Sequence, residues 1–158
     1  MATIKQIVPH LWYDTQAIEA ANFYVSVFPD SKINYTKTLP SPHTPTGSFD
    51  IVSFELSGNT FMAISAGPIF KLNESVSFMV YCDTQDEIDY YWEKLTAGGE
   101  EQPCGWLKDK YGLSWQIVSA AMDTIFKEAD SDKINAVLNV VLTMKKIDLQ
   151  KIKDAYQK

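Results

Sequence analysis

The sequence contains no arginine: all 14 of its basic residues are lysine, set against 20 acidic residues, for a formal net charge of −6. It therefore lacks the guanidinium fork that reads guanine and phosphate, and it has no basic patch, which excludes nucleic acid as a partner. Its richest basic stretch, Met144-Lys145-Lys146 with Lys151 and Lys153, is interleaved with Asp148 and Asp154, the pattern of a solvated helix surface. Histidine and cysteine are scarce: His10, His43, Cys82 and Cys104 are the whole supply. The two cysteines form neither a Cys-x-x-Cys unit nor a zinc framework, and free thiols in a reducing compartment are expected. No apolar run approaches the roughly 18 residues that cross a bilayer, so no membrane partner is expected. The segment Met1-Ala-Thr-Ile-Lys5 has no long apolar stretch, so no secretory leader is expected and the expected location is cytoplasmic. The sequons at Asn34 and Asn73 then carry no meaning.

What is present is a chain of 158 residues with 46% hydrophobic composition, enough for one domain of ordinary size or two small fused modules. Ile7 to Tyr13 reads as a buried strand. Asp14 or Thr15 is a natural N-cap for a helix over Gln16 to Phe28, where Ala17, Ala20, Ala21, Tyr24 and Phe28 recur at helical spacing. Strands are expected over Lys32 to Leu39, Gly47 to Leu56 and Thr60 to Ser65, the last two joined by a Ser57-Gly58-Asn59 hairpin. The same grammar then repeats. Ser75 to Cys82 reads as a strand, and Asp83-Thr84-Gln85 repeats the triplet Asp14-Thr15-Gln16 at the strand-to-helix junction. A helix over Gln85 to Leu95 follows, closed by Gly98-Gly99, with short strands near Glu101 to Trp106, Lys108 to Tyr111 and Ser114 to Val118. Two tandem β-α-β-β-β modules, about 4–67 and 74–119, are therefore expected within residues 1–119. Residues 120–158 form a helical extension, with caps at Asp130-Ser131 and Asp148 and an apolar face at Ala136, Leu138, Val141 and Leu142. The proline-rich loop Leu39 to Gly47, which holds His43, reads as a stiffened connection or a lid.

Paired modules of this kind, with Ala20-Ala-Asn-Phe-Tyr24 on the first helix, resemble the vicinal oxygen chelate superfamily of glyoxalase, bleomycin-resistance and extradiol dioxygenase proteins. The stretch Cys104-Gly-Trp-Leu-Lys-Asp-Lys-Tyr-Gly-Leu-Ser-Trp-Gln-Ile-Val118 resembles its PhnB-like branch more specifically. So does the ending Met144-Lys-Lys-Ile-Asp-Leu-Gln-Lys-Ile152. That branch is often labelled 3-demethylubiquinone-9 3-methyltransferase. The resemblance implies an α+β fold in which two βαβββ modules form open half-barrels around a cavity, followed by the C-terminal helices. It also implies a homodimer, and a divalent metal held by His, Gln or Glu at four strand positions.

Carried over residue by residue, Gln116 occupies the ligand position in the closing strand of the second module. Met62 occupies it in the first, a thioether where a hard oxygen is wanted. The opening-strand positions fall near Val8 or Pro9 and near Ser75 or Val76, with His10 out of register. Gln116 and His10 are thus the only candidate metal ligands, and no cofactor is expected. Methyl transfer is not expected either, because none of the seven glycines lies in a Gly-x-Gly pattern.

Strand alternation places Val8, His10 and Trp12 on one face, and Ser114, Gln116 and Val118 on another. The expected cavity lining is His10, Trp12, Met62, Ser77, Met79, Tyr81, Trp106, Ser114 and Gln116, with Phe54 a further candidate. Aromatic walls with a few neutral polar groups suit a small apolar or aromatic ligand. The reading is a metal-independent small-molecule-binding module. The alternative is a metal-dependent lyase, isomerase or oxygenase with a reduced ligand set, or an interaction protein that works through its C-terminal helices. No catalytic residue is assignable.

Overall fold

A computed structural model describes residues 6–157, which fall into two compact units that part between Leu72 and Asn73. The first unit runs β1 (His10–Tyr13), α1 (Ala17–Val27), β2 (Lys32–Pro40), β3 (Ser48–Leu56), β4 (Asn59–Ser65). The second runs β5 (Ser77–Cys82), α2 (Gln85–Thr96), β6 (Glu100–Glu101), β7 (Trp106–Lys108), β8 (Ser114–Ser119). It continues into α3 (Ala121–Glu128), α4 (Ser131–Val141) and α5 (Leu149–Tyr156). Each unit holds one four-stranded mixed sheet, ordered β1-β4-β3-β2 and β5-β8-β7-β6. The opening and closing strands of each unit pair in parallel, and the other pairs are antiparallel. The α+β class and the doubled β-α-β-β-β grammar read from the sequence are both present.

In the first unit, Ala17, Ala20, Ala21 and Tyr24 of α1 are fully buried. The three alanines let the helix approach its sheet closely, and the Tyr24 ring stacks at 6.3 Å on Phe54, which stacks at 5.5 Å on Phe61. Each such side chain contributes roughly 1.5–3 kcal/mol by leaving water. The β3–β4 hairpin closes with Leu56 opposite Asn59. The two residues between them, Ser57 and Gly58, have φ of 45° and 79°, the positive angles of a turn whose twist matches the strands.

The repeated cap triplet works in only one of its two copies. The Thr84 hydroxyl accepts from the Glu87 amide at 3.2 Å, and the Glu87 carboxylate accepts from the amides of Asp83 at 2.7 Å and Thr84 at 3.2 Å, a complete capping box. Neither Asp14 nor Thr15 caps α1. Its N-cap is Gln16, which makes no side-chain cap bond, and the Ala17 amide donates to Ser65 Oγ of β4 at 2.8 Å. The reason is local: three residues after Thr15 stands Ile18, where Thr84 has Glu87.

The strand expected over Glu101 to Trp106 is interrupted. Cys104 and Gly105 form a turn at φ of 63° and 81°. Their amides donate to the carbonyls of Met144 at 2.8 Å and Lys145 at 2.7 Å, which stitches the turn to the C-terminal tail. Lys108 to Tyr111 is strand only at its start, because the Asp109 carboxylate gathers the amides of Tyr111 (2.8 Å) and Leu113 (3.1 Å) into a turn. The helix α3, not anticipated from the sequence, buries Ile125. Asp130 and Asp148 cap α4 and α5. The apolar face of α4 is turned relative to expectation: Val137 and Val141 are buried while Leu142, at the helix C-cap, is exposed. Met144 and Ile147 continue the buried line, and the Gln85 side chain holds it by donating to the Ile147 carbonyl (3.0 Å) and accepting from the Leu149 amide (2.9 Å).

Candidate functional site

Each sheet turns one face to its helix and leaves the other, its open face, only partly covered. In the first unit Leu11, Tyr13, Phe61, Ala63 and Phe54 are buried on the helix side, so Phe54 is core and not part of the open face. His10, Trp12, Met62 and Ile64 point the other way, with His10 opposite Met62 and Trp12 opposite Ile64. The rows continue through Ser53 and Ile51 of β3 to Tyr35 and Lys37 of β2. Trp12 is pinned: its indole donates to the Gly67 carbonyl at 2.8 Å, and the ring meets Phe70 edge-on at 5.0 Å. His10 is exposed.

The open face of the second sheet is ordered in three rows. Lys108, Ser114 and Ser77 lie in register across β7, β8 and β5; Trp106, Gln116 and Met79 form the next row; Val118 and Tyr81 form the third. The Gln116 carboxamide donates to Ser77 Oγ at 2.8 Å, which fixes its orientation along the face. Met79 and Tyr81 are 48% and 54% exposed, a large apolar surface on a strand whose other face is covered. Ser114 is fully buried and its hydroxyl has no hydrogen-bond partner. Lys108 was missed by sequence reasoning. Its signal was available in the parity of Trp106-Leu107-Lys108, which puts it on the same face as Trp106. The ammonium of Lys108 pairs with the Glu74 carboxylate, and together with the Gln102 amide it draws that carboxyl down to about 2.

The structure brings His10, Trp12 and Met62 together on one sheet, and Ser77, Met79, Tyr81, Trp106, Ser114 and Gln116 together on the other. Met62 faces His10 in register as Gln116 faces Met79, so the two closing-strand positions are structurally equivalent. The first face offers an imidazole beside a thioether and the second a carboxamide beside a thioether, with the carboxamide NH2 engaged by Ser77. One hard donor per face, with no carboxylate beside it, does not fit a hard divalent cation. Among the described residues no group of three or more His, Cys, Asp or Glu side chains is gathered. The thiols are free: burial pushes Cys82 up to about 12, and Cys104 is half-buried in its turn. The loop carrying His43 is closed on itself, Ser41 donating to the Gly47 carbonyl at 2.9 Å and Thr44 Oγ1 to the Ser48 carbonyl at 2.7 Å. No helix among the described residues is long and apolar enough to cross a membrane.

Comparison with known proteins follows the same lines. The family described as 3-demethylubiquinone-9 3-methyltransferase matches residues 5–118. A PhnB protein from Bacillus cereus is 31% identical over 73% of this chain and 100% of its own, with a TM-score of 0.66. Protein PA1353 from Pseudomonas aeruginosa is 20% identical over 73% of this chain and 98% of its own, with a TM-score of 0.58. The fosfomycin resistance protein FosX from Listeria monocytogenes, complexed with Mn(II) and sulfate, is 14% identical over 75% of this chain and 94% of its own, with a TM-score of 0.52. The last two share the fold. No curated protein matches the chain.

Proposed function

We propose, for a chain that belongs to the family described as 3-demethylubiquinone-9 3-methyltransferase, the PhnB-like branch of the vicinal oxygen chelate superfamily, that the open sheet faces bind a small apolar or aromatic molecule without a metal. The observation that carries this reading is the chemistry of the two equivalent closing-strand positions. FosX has been seen with Mn(II), whereas this chain places Met62 and Gln116 at the centre of its open faces, beside His10 and Met79. Thioethers are poor ligands for a hard cation but good walls for an apolar guest, and a lone carboxamide oxygen supplies too few hard donors to hold one. Met79 and Tyr81, half in solvent, are the surface such a guest would cover. Stacking on one aromatic ring contributes about 0.5–1.5 kcal/mol beyond the area removed from water.

Methyl transfer, the activity in the family's description, finds no support in the glycines. Gly98, at φ of 77°, follows the C-terminus of α2 instead of opening a helix N-terminus for a cofactor.

The test is fluorescence of 1-anilinonaphthalene-8-sulfonate titrated against the purified chain before and after dialysis into chelator, with metal content measured on the same samples. Equal binding in both, and binding weakened about tenfold in a Met79→Ser, Tyr81→Ser double variant, is the expected result. Near-stoichiometric metal that survives dialysis and disappears in Gln116→Ala would replace this reading with the metal-dependent one.

A further inference from the structure

The open face of the second sheet is polar at one end and apolar at the other, and the lysine at the polar end already holds a carboxylate. Its first row is Lys108, Ser114 and Ser77, its second Trp106, Gln116 and Met79, and its third Val118 and Tyr81. Lys108 is the one cationic residue that the four strands of this sheet contribute. It pairs with Glu74, which lies just ahead of β5, and not with Glu100, its exposed register partner on β6. Glu74 also accepts from the Gln102 amide at 3.3 Å, which lies just past β6 on the far side of β7 from β8. Ser114, the register partner of Lys108 on β8, is fully buried although it lies on the face away from the helix.

The Ser114 hydroxyl is left without any partner, an uncommon state for a buried polar group and one that an incoming acceptor would relieve. Ser77 Oγ, next along the row, accepts from Gln116 and keeps its own proton free to donate. An ammonium and two hydroxyl groups thus belong to one row of register. Glu74, held by Lys108 and by the Gln102 amide at 3.3 Å, shows that the ammonium at the end of this row takes a carboxylate.

We infer that this row is the head-group subsite for a small carboxylic acid with an apolar body, and that Glu74 is an internal carboxylate that the ligand displaces. The inference rests on the binding role proposed above and names its ligand class. The carboxylate takes the place of Glu74 on Lys108, the Ser77 and Ser114 hydroxyls donate to it, and the apolar body runs over Met79 and Trp106 toward Tyr81. Two residues along a strand advance about 6.7 Å, so the three rows span roughly 13 Å, the length of a medium-chain fatty acid or a two-ring aryl acid.

The experiment is a calorimetric titration of the full chain with decanoate and with decanol, in the wild type and in the variants Glu74→Gln, Lys108→Met and Lys108→Arg. Far-ultraviolet circular dichroism and Tm are recorded for each variant. Decanoate is expected to bind more tightly than decanol to the wild type. Glu74→Gln tightens decanoate about fivefold and leaves decanol unchanged; Lys108→Met weakens decanoate about fivefold or more, also without moving decanol; Lys108→Arg restores most of the preference. Decanol and decanoate binding equally in all four proteins would overturn the head-group subsite and leave the apolar binding role standing. Decanoate binding that Glu74→Gln fails to tighten would overturn the displacement by Glu74. Absence of binding by both probes would overturn the binding role and this inference with it.

Discussion

Asp109→Asn isolates the group that aims the second open face. Asp109 is 3% exposed, and its carboxylate accepts from the Tyr111 amide at 2.8 Å and the Leu113 amide at 3.1 Å on Oδ1, and from the Trp115 indole at 2.8 Å on Oδ2. These bonds build the turn over Gly112 and set the start of β8, which carries Ser114 and Gln116. Asparagine keeps one oxygen for the two amides but turns its NH2 toward the Trp115 indole, donor against donor. One charge-assisted bond is lost, at about 1.5–3 kcal/mol, and a buried donor is left without an acceptor at a further 1–3 kcal/mol. We expect a loss of about 3 kcal/mol, with Tm lower by roughly 6–12 °C for a chain of this size. Urea denaturation followed by tryptophan fluorescence and circular dichroism reads this directly. The mechanism makes a second, sharper demand: Trp115→Phe removes the indole donor, so the double variant should be less damaged than the sum of the two single changes, by about 1–2 kcal/mol. A Tm within 1 °C of wild type for Asp109→Asn, or strict additivity with Trp115→Phe, would refute the reasoning.

Gly99 sits where an added Cβ would lie 2.1 Å from the Lys108 carbonyl and 2.9 Å from the Asp109 backbone, so Gly99→Ala should cost about 1–3 kcal/mol in the same urea assay, with no gain from helix propensity. Burial pushes the Cys82 thiol up to about 12, well above 9.0, so it is protonated at pH 8. Under native conditions at pH 8, iodoacetamide should therefore leave Cys82 unlabelled for as long as the fold persists, and peptide mapping should find it modified only after denaturant is added. Glu74 is drawn from 4.5 down to about 2 in the folded chain, so its stabilising contribution is complete above pH 4.5 and disappears as pH falls through 2. Thermal melts of wild type and Glu74→Gln should accordingly differ at pH 5 to 7 and converge between pH 4 and 2, and a difference independent of pH would remove the ion pair as its cause.

Much of the fold follows from residues within a turn of one another. The Thr84–Glu87 box starts α2, Asp130 and Asp148 start α4 and α5, and Ser57-Gly58 closes a hairpin, because each of these acts across two to four residues. Strand parity likewise places His10 with Trp12 and Gln116 with Ser114 on shared faces. The same logic misread α1, whose start depends on Ser65, 48 residues away, and the 104–105 turn, which depends on the carbonyls of Met144 and Lys145. It also passed over Lys108, since nothing near that residue in the chain announces Glu74 as its partner.

The sequence by itself therefore determined the two modules, their helix starts and the shortage of metal-ligating side chains, all of which are properties of local spacing and composition. Only the tertiary structure decided which strands are neighbours. By pairing β1 with β4 and β5 with β8 in parallel, it set His10 against Met62, Met79 against Gln116, and Lys108 against a serine with no partner. That choice belongs to packing, because a register between strands far apart in the chain is held by the buried faces of α1, α2 and the sheets together and by no residue alone.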